Sequence, residues 1–127
     1  MFKETKVLMH SDKISKDVKL LVFSDIHYSG NHDIKKLERL IEKVEMYDMD
    51  YICIPGDTID IPNINCDYMV KFFTKLGSIA PVILSLGNHD IRIKYQEYKI
   101  KRALPQMCEK IHVLRHAFFC FILHFKL

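Results

Sequence analysis

Three short stretches of this chain gather side chains that bind cations. They are Asp25-Ile26-His27, Gly56-Asp57-Thr58-Ile59-Asp60 and Gly87-Asn88-His89-Asp90. Carboxylate, imidazole and amide oxygen donors together suit Mn, Fe or Zn better than a metal that prefers thiolates. In an extended chain, residues two apart point the same way, so Asp25 and His27 could grip one ion. Gly56 and Gly87 would let the backbone turn sharply, so that the next side chain faces into the site.

Each stretch alone has a plain structural reading. D-x-H arises by chance, Gly-Asp after a strand is a turn, and Gly, Asn and Asp serve turns and helix caps. That reading leaves His89 unexplained. It weakens further because each stretch ends a predicted strand.

The elements that would position these residues follow from the hydrophobic pattern. The apolar run VKLLVFSD (18–25) reads as a buried strand, as do DYICIPGD (50–57) and APVILSLG (80–87). Between the first two, Ile34, Leu37, Leu40, Ile41 and Val44 share one helical face, with Asn31 or Asp33 as N-cap. A second helix is predicted from Asp67 to Leu76, with Met69, Phe72, Phe73 and Leu76 on its apolar face and Gly77 as its stop. The order β-α-β-α-β predicts an α/β fold, a parallel sheet covered on both faces. In an open parallel sheet, sites form beyond the carboxyl ends of the strands, so the three stretches should converge at one edge.

Beyond Asp90, IRIKYQEYKIKRAL (91–104) reads as helix or strand, since Ile-Arg-Ile-Lys alternates while the later residues suit a helix; a helix ended by Pro105 is preferred, and IHVL (111–114) reads as a fourth strand. Residues 117–127 form an atypical apolar tail, too short to span a bilayer. The basic residues Arg92, Lys94, Lys99, Lys101 and Arg102 read as a solvated helix face before a phosphate-attracting one. His10 and His32 read as surface residues, and Cys53 as a buried, inert thiol.

Composition sets the outer limits. The 127 residues make one domain (1–127) with 49% apolar and 28% charged residues, and the net charge of +3 gives no warrant for a nucleic-acid partner. Four scattered cysteines without a C-x-x-C pair favour a reduced, cytoplasmic protein. No signal peptide and no transmembrane segment is expected.

The motif set D-x-H, about 28 residues, G-D-x-x-D, about 26 residues, and G-N-H-D resembles the calcineurin-like metallophosphoesterases over roughly Val18 to Asp90. The resemblance implies two divalent ions. Asp25 and His27 would bind the first, Asp57 would bridge both, and Asn88 would bind the second. His89 would be the catalytic group beside the substrate, as general acid or phosphate donor. Asp60 and Asp90 would orient the histidines from behind. The implied reaction is attack of a metal-bound hydroxide on a phosphomonoester or phosphodiester substrate.

The family also carries a later histidine and a Gly-His-x-His on a second sheet. No Gly-His occurs here, and His112, His116 and His124 lie too near His89 in sequence to match those strands. The chain is therefore expected to be the first half of a four-layer α/β sandwich, apparently truncated, with one sheet face and one edge left open to self-association. A non-catalytic relative binding one metal weakly is the rival reading. A receiver-like signalling module has no use for Asn-His-Asp, and a dinucleotide-binding module lacks G-x-G-x-x-G after the first strand.

Overall fold

A computed structural model describes residues 3–60, 67–92 and 111–114, with 91–92 and 111–114 as backbone. Its centre is a four-stranded, all-parallel sheet in the order β1-β2-β3-β4, formed by Leu20–Val22, Tyr51–Pro55, Val82–Ser85 and Ile111–Leu114. Helix α1 (Ile34–Val44) connects β1 to β2, and α2 (Asp67–Ile79) precedes β3. A short helix, α3 (Asn88–Arg92), follows β3. The predicted fourth strand is present.

Apolar spacing builds the core. Leu37, Leu40 and Val44 of α1 and Met69, Phe72, Phe73 and Leu76 of α2 pack in one cluster with Ile52, Ile54, Val82 and Leu84 of the sheet. The two helices touch each other and share that cluster, so they lie on the same sheet face. Among the described residues, helices therefore cover one face and not the predicted two. The strand order explains this: it never reverses, and crossovers of one hand keep each helix on the same side. On the other face the paired residues Leu20 and Tyr51, at the β1 edge, are 56% and 40% exposed.

Two local expectations are corrected, and a third, the Asp33 N-cap, is met in position without its side-chain bond. Gly77 does not stop α2, which continues to Ile79 with Gly77 buried inside it. Pro81 is the terminator, because it cannot continue a helix and disfavours helical backbone at Ala80. Asp33 stands at the N-cap of α1 without a side-chain capping bond. Its carboxylate instead accepts the Ser29 amide at 2.7 Å and the Ser29 hydroxyl at 2.9 Å. Finally, the strands are shorter than the apolar runs, because their last residues leave the ladder to form the loops described next.

Residues 93–104 of the predicted third helix, with its basic residues from Lys94 on, lie outside the described residues, as do His116, His124 and the apolar tail. Among the described residues no helix is long and apolar enough to cross a membrane.

Candidate metal centre

The segment after β1 and the segment after β2 continue side by side where the regular strands stop. Phe23 donates to the carbonyl of Cys53, Asp25 to Gly56, His27 to Asp57 at 3.0 Å and Tyr28 to Thr58 at 2.9 Å. Asp60 donates back to Tyr28, and Tyr28 and Ile59 form a parallel bridge. This irregular ladder holds the D-x-H stretch in register with the G-D-x-x-D stretch. Phe23, Ile26, Tyr28 and Ile59 anchor it in the interior, and Tyr28 stacks on Tyr68 of α2.

The backbone here is not extended. Asp25, His27 and Asp57 have φ of 57°, 49° and 52°, and they are the described non-glycine residues with positive φ. Asp and His enter this left-handed region more readily than most types, yet each such residue costs on the order of 1–2 kcal/mol. Strand alternation is thus not what brings Asp25 and His27 together. Three left-handed kinks, held by the ladder, do so. Such strain gathered on three neighbouring polar residues is a mark of a functional site.

The side chains converge accordingly. Asp25, His27 and Asp57 each offer a donor atom within 4.8 Å of the others. Nε2 of His27 lies 3.6 Å from Oδ1 of Asp25. That is too long for a hydrogen bond. It is close to the roughly 3.3 Å that separates two donors sharing one cation at bonds of about 2 Å. Two oxygen donors and one imidazole suit Mn, Fe or Zn, so the residues present fit the expected group.

His27, Asp60 and His89 form a second, overlapping group of donors. Here the distances argue differently. Nδ1 of His89 is 2.6 Å from Oδ1 of Asp60, a charge-assisted hydrogen bond and too short a gap for a shared cation. Nδ1 of His27 is 3.5 Å from the same oxygen, and the two imidazoles meet edge to face at 4.8 Å. Asp60 therefore faces both histidines. Asp25, His27, Asp60 and His89 remain between a third and a half exposed, open to a ligand from solvent.

The third stretch is joined to the second by carboxylates. The His89 amide donates to Oδ1 of Asp57 at 3.0 Å. Asp90 was expected to orient a histidine, but its carboxylate is turned to the backbone. Oδ1 accepts the Thr58 and Ile59 amides at 3.0 Å, and Oδ2 accepts Gly87 at 2.9 Å and Thr58 at 3.2 Å. Burial pushes the Asp90 carboxyl up; the three amides oppose this, and the nearby Asp57 charge adds to it. Asn88 is exposed at the first position of α3.

The two glycines act differently from one another. Gly56, at φ 88°, supplies a turn that L residues rarely adopt. Gly87 has no such φ; it gives the backbone room. A Cβ there would lie 2.1 Å from Oδ1 of Asp57.

Sequence reasoning missed Ser24, whose hydroxyl donates to Oδ2 of Asp25. Its place beside Asp25 was the available signal, and a serine before an aspartate is too common to carry one. It also missed Lys36, whose ammonium reaches the carbonyl of Ile26 at 3.5 Å from the first turn of α1.

The chain is 30% identical over 77 residues to the uncharacterized metallophosphoesterase Cj0846 of Campylobacter jejuni, a match covering 61% of this chain. It spans about a fifth (21%) of that relative's length. Residues 18–120 match the family described as calcineurin-like phosphoesterase, and the match takes in all three strand-end clusters. The chain belongs to the calcineurin-like phosphoesterase family.

Proposed function

We propose that this chain carries the metal-binding half of a metal-dependent phosphoesterase acting on a phosphomonoester or phosphodiester. The observation that carries the reading is the convergence of Asp25, His27 and Asp57, each at a left-handed backbone position, beside the Asp60–His89 pair. In this reading Asp25, His27, Asp57 and Asn88 would be the residues that hold divalent ions. Bound ions would supply Lewis acidity toward the phosphate and a nucleophile formed from water at neutral pH.

The chain's own groups have separable tasks. Ser24 holds one oxygen of Asp25 by its hydroxyl, which turns the other toward the site. The His89 amide holds Oδ1 of Asp57. Asp60 engages Nδ1 of His89, so Nε2 is the nitrogen free to give a proton to the leaving oxygen of the ester.

Metal content tests this reading together with turnover. The purified chain is loaded with Mn2+ beside an Asp57→Asn control, and both are assayed with bis-p-nitrophenyl phosphate. Bound Mn2+ and hydrolysis, both lost in the control, are expected. Equal metal content in wild type and control would sink the assignment of the site.

A further inference from the structure

We propose that Asp90 is the positioning residue that sets the metal affinity of this centre, by clamping the loop after β2 to the loop after β3. The inference rests on the metal-binding reading above and assigns to one buried carboxylate the spacing between its two halves.

The regular β2–β3 ladder ends at the pair Pro55 and Ser85. Beyond that pair the two loops carry Asp57 on one side and Asn88 and His89 on the other. Among the described residues, three carboxylates cross between these loops. Asp57 accepts the His89 amide, Asp60 meets the His89 ring nitrogen, and Asp90 accepts Thr58 and Ile59. Asp57 is itself a candidate metal ligand, whose oxygens an ion would draw on, and the partly exposed Asp60 holds a side chain and not the backbone. Asp90 is the buried clamp on the loop backbone that remains when Asp57 is engaged.

Its chemistry suits that task. Asp90 is 1% exposed, so it meets neither solvent nor substrate. An ionised carboxylate is acceptor-only on both oxygens, and here one oxygen serves Thr58 and Ile59 while the other serves Gly87 and Thr58. An asparagine offers one acceptor oxygen, and its amide nitrogen would set N–H against N–H on the other side. Asp90→Asn therefore keeps the shape and loses either the Thr58 and Ile59 bonds that cross between the loops or the Gly87 bond that fixes the clamp to its own loop. Gly87 is packed against the Asp57 carboxylate. A shift of a few tenths of an ångström there moves Asp57 relative to Asn88.

The experiment compares Mn2+ affinity, by titration calorimetry, in wild type, Asp90→Asn, Asp57→Asn and Leu40→Ala. Leu40→Ala opens a cavity under α1 and serves as a variant that loses stability without touching the loops. All four are compared where circular dichroism shows them folded. The expected result is a loss of about 10- to 100-fold in Mn2+ affinity for Asp90→Asn, with Leu40→Ala near wild type. Wild-type affinity in folded Asp90→Asn, or a loss no greater than that of Leu40→Ala, overturns the proposal. If wild type and Asp57→Asn bind Mn2+ alike, the metal-binding reading itself fails and the clamp falls with it. Should Asp90→Asn not fold, amide hydrogen exchange on the wild type decides. Protection of Thr58, Ile59 and Gly87 before Mn2+ is added supports a preformed clamp, and fast exchange at those amides overturns it.

Discussion

Nδ1 of His89 lies 2.6 Å from Oδ1 of Asp60, and the same oxygen stands 3.5 Å from Nδ1 of His27. One carboxylate oxygen thus faces a candidate metal ligand and a candidate proton donor at once. Both imidazoles are left with Nε2 as the working nitrogen, and for His27 that nitrogen is the one turned to Asp25. The pair is joined by G-D-x-x-D closing one strand and G-N-H-D closing another.

The Asp60–His89 contact predicts a tautomer. In its neutral form His89 should carry its proton on Nδ1, and a long-range nitrogen–proton NMR spectrum reads this directly. Asp60→Asn should redistribute the tautomers and leave Mn2+ affinity within a few-fold of wild type. In the loaded chain, turnover should fall by about 10- to 100-fold. A His89 ring protonated on Nε2 in the wild type would exclude the arrangement.

Gly87→Ala should strike the metal site harder than it strikes the fold. The added Cβ would sit 2.1 Å from Oδ1 of Asp57 and 2.4 Å from its amide nitrogen, both closer than atoms approach. Overpacking of this kind costs about 1–3 kcal/mol, and relief requires Asp57 to move. Loss of most Mn2+ binding with a cooperative thermal transition retained is the expected outcome. Unchanged binding would mean that Asp57 is not a ligand.

What was legible in the sequence was local, and what was not depended on contacts between distant residues. Leu37, Leu40 and Val44 recur at helical spacing, so α1 and its buried face could be read from the chain. The three polar clusters were equally visible, because each ends an apolar run. By contrast, the left-handed backbone at Asp25, His27 and Asp57 is imposed by hydrogen bonds from a neighbouring segment. Asp90 shows the same limit. Its position three residues after a glycine suggested a turn or cap, while its main partners, Thr58 and Ile59, lie on another strand's loop. Gly77 misled for a related reason: glycine marks helix ends on average, but a buried glycine packed between layers can stay helical.

Thr58 offers a stabilising substitution at the centre's edge. Thr58 is 2% exposed, and its hydroxyl has no hydrogen-bond partner among the described residues. A buried hydroxyl without a partner costs about 1–3 kcal/mol, whereas the Thr58 contact to Asp90 uses only the backbone amide. Thr58→Val keeps the branched shape and removes the orphan group. Stability should rise by about 1 kcal/mol, a gain of roughly 3–6 °C in Tm for a chain of this size. A lower Tm would show that the hydroxyl does have a partner, such as a bound water.

Asp33 should make the chain lose stability in acid. Burial pushes its carboxyl up, but the Ser29 amide and hydroxyl, with His32 and Lys36 nearby, outweigh that and hold it below the ordinary carboxylate range. A carboxyl depressed in the folded state binds its proton more readily when unfolded. Its contribution is therefore full above the unfolded value, near 4 on the usual scale, and fades as pH falls through the lower folded value. Urea unfolding of wild type and Asp33→Asn checks this. The stability difference between them should be constant from about pH 7 to 5 and shrink below about pH 4. Ser29 follows the buried Tyr28 directly, at the turn where the chain leaves the candidate metal centre for α1. Loosening that turn should also weaken Mn2+ binding in the acid limb. A pH-independent difference would mean that the Ser29 bonds do not favour the charged form.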